Sequence, residues 1–198
     1  MVFQLDISNN QLCGLNEDGR GTYTAEGITA IANALRVNGA LTVTNLLGNQ
    51  LDAESAKMLA EVAKQKGISL CGIQRDQTTA DFRGKGLKPP DAILLGSDLS
   101  QAVVTGALTA LDLTFNYLKD EGVSAVCEAI QSNKETKLAS LNFKNTGIGP
   151  VGANAVAAMV AVTGALTECD LVGNYMGEEG KASIRNAVQG KDGFKLHL

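Results

Sequence analysis

The sequence predicts an α/β solenoid, a run of short units that each add one strand to a parallel sheet and one helix behind it. Three observations carry this reading. The first is a spacing: in ALTALDLTFNYLKDEG, apolar residues fall at Leu108, Leu111, Leu113 and Leu118, with Asn116 before the last and Gly122 after it. The spacing returns at Leu166–Gly180 as LTECDLVGNYMGEEG, and more loosely at Leu41–Ser55, Leu138–Gly152 and Val2–Leu12. A pattern kept in register over most of a chain describes an architecture rather than a local motif. The second is a pair of apolar residues at alternate positions before each copy's turn, the mark of a half-buried strand. The third is an apolar stripe of helical period after it.

Taking Asn116 as the anchor of its unit, the equivalent positions are Asn10, Asn49, Lys85, Asn116, Thr146 and Asn174, which lie 39, 36, 31, 30 and 28 residues apart. The strand pairs are Leu5/Ile7, Thr44/Leu46, Ala80/Phe82, Leu111/Leu113, Leu141/Phe143 and Cys169/Leu171, and Leu196/Leu198 forms a last copy. Helical stripes follow at Ile31/Leu35, Leu59/Ala63, Leu95/Leu99, Val126/Ile130, Val156/Val160 and Ile184/Val188. Thr24 and Asp52 are placed as N-caps, and Pro89, Pro90 and Pro150 sit where a first helical turn accepts proline. Gly39, Gly67, Gly164 and Gly190 stand beyond the stripes as stops. The expected organisation is one domain over 1–198 with six to seven units. It is irregular around 13–24, where Asn16–Tyr23 is inserted, and around 68–87. There, Ile68–Ile73 reads as an extra strand too close to the next for a parallel crossover, so either a distorted unit or a hairpin is expected.

The string L-x-x-L-x-L-x-x-N-x-L followed by a helix resembles the leucine-rich repeat, and units of 28–31 residues resemble its ribonuclease-inhibitor-like subfamily. The resemblance implies a horseshoe arc, with parallel strands on the concave face, helices on the convex face, and the Asn closing the turn after each strand. Lys85 and Thr146 depart from that Asn. Proteins of this kind are non-enzymatic binding modules, and the resemblance also includes regulators of enzymes, namely inhibitors of ribonucleases and the activator of a small GTPase. A repeat-level likeness maps neither activity onto a residue. A nucleotide-sensing receptor fragment would need a P-loop domain that these residues do not contain.

Composition narrows the function classes. A net charge of −4 and the absence of a Lys/Arg cluster argue against a nucleic-acid partner, and no apolar stretch reaches membrane-spanning length. The four cysteines form no CxxC pair. Cys71 and Cys169 fall in buried strand slots, Cys127 lies on a helical stripe, and Cys13 is the least constrained. Reduced thiols and no leader-like apolar run place the chain in the cytoplasm or nucleus. The single histidine, His197, cannot supply a nucleophilic triad or a His-based zinc site. Gly147–Gly152 matches GxGxxG between a strand and a helix, but its residues occupy the repeat's own turn slots, and Pro150 removes an amide donor. No catalytic residue, metal or cofactor is expected.

The expected binding surface is the concave face with its edge loops, taking a protein partner of basic character. Between the two buried strand positions a column of outward residues reads Asp6, Asn45, Asp81, Asp112, Asn142, Asp170 and His197. It concentrates negative potential, although L-D-L is also common in such repeats whatever they bind. Phe115 occupies a slot that elsewhere holds Asn9, Gly48, Gly84, Asn145 and Gly173. It reads equally as an interface anchor or as a lid over a neighbouring turn. Arg83 and Lys144, in the adjacent outward column, are expected to flank it with positive charge. The Asn16–Tyr23 insertion, with Asp18, Arg20 and Tyr23, is a second surface of this kind. Neither end carries a polar cap, so the reading anticipates a fragment of a longer array, or self-association through terminal strand edges.

Overall fold

The alternating apolar pairs form strands wherever a neighbouring unit presents its own. The computed structural model describes residues 3–16 and 18–198; Val2, which opens the first repeat copy, and Glu17 of the insertion lie outside the described residues. The strands are β1 (Phe3–Asp6), β2 (Leu41–Asn45), β3 (Thr79–Asp81), β4 (Ala110–Asp112), β5 (Ser140–Asn142), β6 (Glu168–Asp170) and β7 (Lys195–His197). The helices are α1 (Glu26–Val37), α2 (Ala53–Lys66), α3 (Pro89–Leu99), the short α4 (Ala102–Thr105), α5 (Lys119–Ser132), α6 (Pro150–Val162) and α7 (Gly177–Val188). All strand pairs are parallel. Strands about 4.8 Å apart backed by helices 8–10 Å apart must curve, with the strands on the inside.

The core lies between the two layers. Leu111, Leu113, Leu141, Phe143, Cys169 and Leu171 from the strand side meet Leu95, Val126, Ile130, Val156, Val160 and Ile184 from the helices, all buried. Start and stop signals behave largely as their chemistry requires. Asp52 accepts from Ser55 N at 2.7 Å, α3 and α6 begin on Pro89 and Pro150, and Gly67 closes α2 in the left-handed region at φ 66°. At α1 the cap moves by one residue to Ala25, with Thr24 Oγ1 accepting from Glu26 N at 3.3 Å. Leu5 departs from its expected place in the core and is 44% exposed, because β1 pairs only with β2.

The sheet is not continuous. β1 and β2 form a pair, β3 to β7 form a sheet of five, and the Ile68–Ile73 segment lies between as a distorted unit. It touches β2 through isolated bridges at Val43–Ser69 and Asn45–Cys71, and has no ladder to β3. Two buried carboxylates of α3, seven residues apart and so on one helical face, repair this seam. Asp98 accepts from Ser69 Oγ (2.7 Å), Leu70 N (2.8 Å) and Cys71 N (3.1 Å). Asp91 accepts from Gly48 N (2.8 Å) and Lys88 N (2.9 Å). In the other turns that N–H is given to the next unit's carbonyl, as from Asn9 to Leu47 O and from Gly84 to Thr114 O. Burial pushes both carboxyls up, Asp98 to about 7.

Candidate functional site: the strand face and its rim

The outward column is in register within each sheet. Asp6 faces Asn45, and in the larger sheet Asp81, Asp112, Asn142, Asp170 and His197 are successive Cα partners. The seam divides the column in two. Each Asp or Asn in it also shapes the backbone, because its Oδ1 accepts from the N–H two residues on, at Ser8, Leu47, Arg83, Thr114, Lys144 and Val172. Only a short side chain with an acceptor at that reach makes this turn. The column therefore accepts either Asp or Asn without loss of fold, and its charge is separable from its geometry.

One of the two basic residues sits differently from expectation. Arg83 does not stand beside Phe115 as a free cation. Its guanidinium folds onto its own strand end, with Nη2 2.8 Å from Asp81 Oδ2 and Nε 3.6 Å from Asp112 Oδ2. The Arg83 hydrogen bond holds the Asp81 carboxyl below its ordinary range. This exposed pair adds little stability, but it cancels charge at one end of the stripe. Lys144 is tied to Asn142 through its backbone N–H. His197 Nε2 lies 3.8 Å from Glu168 Oε1 at the far end.

Phe115 marks a break with its sister units that the backbone explains. Asn9, Gly48, Gly84, Phe115, Asn145 and Gly173 all have positive φ, 52–78°. Glycine and asparagine tolerate this region, whereas a bulky side chain there costs roughly 1–3 kcal/mol. Phe115 holds φ 56° and donates its N–H to Lys144 O at 3.0 Å, yet its ring is 60% exposed.

Two further aromatics stand on the same rim, one turn beyond the strands. Tyr117 is 68% exposed and Tyr175 80%. They line a cleft of about 550 Å³ with Gly147 between them, together with Lys119, Asp120 and Glu121. Their sequence signal is the heptad N-Y-[L/M]-x-[D/E]-E-G, present at Asn116–Gly122 and Asn174–Gly180 but not in the unit between. In these two units a second left-handed residue falls at Lys119 (φ 55°) and Gly177 (φ 67°), three beyond the anchor. In the others it falls one beyond, at Gln11, Gln50, Gly86 and Gly147. Moving the strained position frees the first turn residue to carry a large side chain.

The GxGxxG stretch opens on this cleft, and its Ile148, Gly149 and Gly152 amides are already committed. Asp120 Oδ1 accepts from Gly149 N at 2.6 Å and Gly152 N at 2.9 Å. A carboxylate of the preceding unit thus occupies the place a phosphate would take at the start of α6.

Other sequence candidates are structural. All four cysteines are free and buried, Cys13 included, so the thiol read as least constrained is sealed. Burial raises each thiol, Cys169 to about 12, which makes them poor nucleophiles. Tyr23 of the insertion turns inward to Ser55 Oγ at 2.7 Å, leaving Asp18 and Arg20 outside. No described helix is long and apolar enough to cross a membrane.

Comparison with known proteins agrees with this geometry. A family model described as "Leucine Rich repeat" matches residues 108–127. The chain is 27% identical to the ribonuclease inhibitor of Mus musculus over 84% of its length and 34% of the relative's. It is 30% identical to Ran GTPase-activating protein 1 of Xenopus laevis over 74% of the chain and 23% of that protein. It is 26% identical to "NACHT, LRR and PYD domains-containing protein 5" of Bos taurus over 80% of the chain and 13% of that protein. In each case the matched stretch is about a third of the relative or less. Strand, asparagine turn and backing helix, repeated through a parallel sheet and matched in these sequences, make the chain a leucine-rich-repeat protein of the ribonuclease-inhibitor-like kind.

Proposed function

We propose that this protein is a non-enzymatic interaction module that holds a protein partner against its concave strands and the loops at their ends. The surface comprises the column Asp6, Asn45, Asp81, Asp112, Asn142 and Asp170, with Arg83, Lys144 and Phe115, and extends to Tyr117 and Tyr175. The observation that carries the reading is Phe115, an exposed aromatic in a left-handed slot where its sisters are glycine or asparagine. Backbone strain of this kind is a recurring feature of binding surfaces, and aromatic residues dominate interface energetics. The residual carboxylates favour a partner with a basic surface, and four buried free thiols suit a reducing compartment such as the cytoplasm or nucleus. Control of an enzyme by such a module, as the names of two relatives describe for those proteins, is a narrower form of the same reading.

The test uses a partner recovered with the full chain and then purified. Asp112→Asn keeps the turn bond, as Asn142 does, and removes the charge. Combined with Phe115→Ala it should weaken binding about 30-fold, the scale of a loss of about 2 kcal/mol at a binding hot spot. Glu128→Lys on the exposed side of α5 should leave affinity within about twofold. Equal losses from both faces, or none from the strand face, would remove the concave site.

A further inference from the structure

The cleft between Tyr117 and Tyr175 has walls, a floor and a charge that together specify a guest. The two tyrosines belong to the units of β4 and β6, so one unit lies between them, and their backbones are roughly 10 Å apart at the strand spacing. The intervening unit carries Gly147 at the equivalent position, and a Cβ there would meet nothing closer than 3.9 Å. Rings rooted that far apart at the backbone need lean together by only about 2–3 Å to leave a gap of about 7–8 Å, which holds one flat group with contacts of about 3.5–4.0 Å on each side.

Charge in the cleft comes from Asp120 and Glu121 against Lys119. Asp120 spends Oδ1 on the amides of Gly149 and Gly152, which fixes the carboxylate without consuming Oδ2. The anion-binding end of α6 is therefore filled by the protein itself, and what remains for a guest is aromatic surface with two carboxylates against one ammonium, a net negative charge. An anionic guest would meet two carboxylates against one ammonium, with the Gly149 and Gly152 amides already taken. A purely aliphatic guest would leave those carboxylates desolvated without a partner.

We propose that this cleft is a receptor for an arginine side chain on an extended segment of a protein partner, with the guanidinium stacked between Tyr117 and Tyr175 and paired with the Asp120 and Glu121 carboxylates. A guanidinium is planar, weakly hydrated, stacks on aromatic faces and presents a fork to carboxylates, whereas an ammonium offers only a point charge. The inference rests on the strand side being the recognition face, but it uses none of the residues changed to test that reading.

The protein contains three tyrosines and no tryptophan, and Tyr23 is docked on Ser55, so tyrosine fluorescence reports largely on this cleft. The probe is an end-blocked peptide of alternating glycine and arginine, compared with the same peptide carrying lysine, glutamate or leucine. The arginine peptide should bind saturably, about tenfold tighter than the lysine peptide. Tyr117→Ala with Tyr175→Ala should weaken it at least about tenfold while the unfolding curve stays in place, since both rings are exposed; calorimetry follows binding in this variant. Glutamate or leucine peptides binding as well as arginine, no saturable binding of arginine, or full binding by the double variant would each overturn the proposal. If arginine fails while Asp112→Asn with Phe115→Ala still weakens the purified partner, the cleft reading falls and the concave-face reading stands.

Discussion

Replacing Asp98 with alanine should cost about 3–5 kcal/mol of folding stability, the largest loss expected from a single polar side chain here. The carboxylate is fully buried and accepts from Ser69 Oγ, Leu70 N and Cys71 N. Those amides belong to the segment that has no ladder to β3, and alanine would leave them unpaired in the core. Asp98→Asn separates charge from shape. With the folded carboxyl at about 7 and its ordinary value at 3.8, the folded state keeps a proton that the unfolded chain has released between those pH values. Stability from this group is fully present below about pH 4 and declines as pH rises towards about 7. Urea unfolding of the wild type and Asp98→Asn at pH 5 and pH 8 should therefore show their difference shifting by about 3 kcal/mol, with the wild type relatively better at pH 5. A pH-independent difference would mean that the carboxylate stays ionised and is held by its three donors alone.

The second large effect concerns the asparagine of the repeat. Asn116 donates Nδ2 to Leu113 O (2.8 Å) in its own turn and to Phe82 O (2.9 Å) in the preceding unit, and accepts from Leu87 N (2.9 Å) there. Asn49 and Asn174 also reach back, to Ile7 O and Phe143 O. The side chain thus staples one unit to the one before it, beyond closing its own turn. Thr146 performs only the local part, with Oγ1 donating to Phe143 O at 2.7 Å. Asn116→Thr should consequently lose about 2 kcal/mol and Asn116→Ala about 3 kcal/mol, as buried groups of the preceding unit lose their partners. If the threonine variant unfolds within about 0.5 kcal/mol of wild type, turn closure alone explains the asparagine.

Much of the fold was legible because the solenoid repeats its constraints. Leu111/Leu113 and Val126/Ile130 each have equivalents in other units, so a weak local signal becomes strong in register. The seam was legible only as an irregularity. Its solution lies in Asp91 and Asp98, which look like ordinary helical charges in sequence and become meaningful once α3 is seen to bury them. The candidate site divides in the same way. Phe115 was visible as an exception, but its strain required the backbone torsion. The Asp/Asn column was visible as charge, while its turn-forming role required hydrogen bonds. Tyr117 and Tyr175 were missed although N-Y-[L/M] stands twice in the sequence. Both tyrosines fall between the apolar positions that define the repeat, and only the fold brings residues 58 positions apart to one cleft.

The central claim is that the strand face and rim are shaped for a partner at some cost to the fold, and Phe115→Asn tests it most directly. Asparagine is what the next unit places at this position, Asn145 at φ 52°, so the substitution relieves strain without altering the turn. The account predicts a gain of about 1 kcal/mol, raising the unfolding midpoint by about 2–4 °C, together with a loss of affinity for the purified partner of about tenfold or more. A lower midpoint with unchanged affinity would contradict it and return Phe115 to the scaffold.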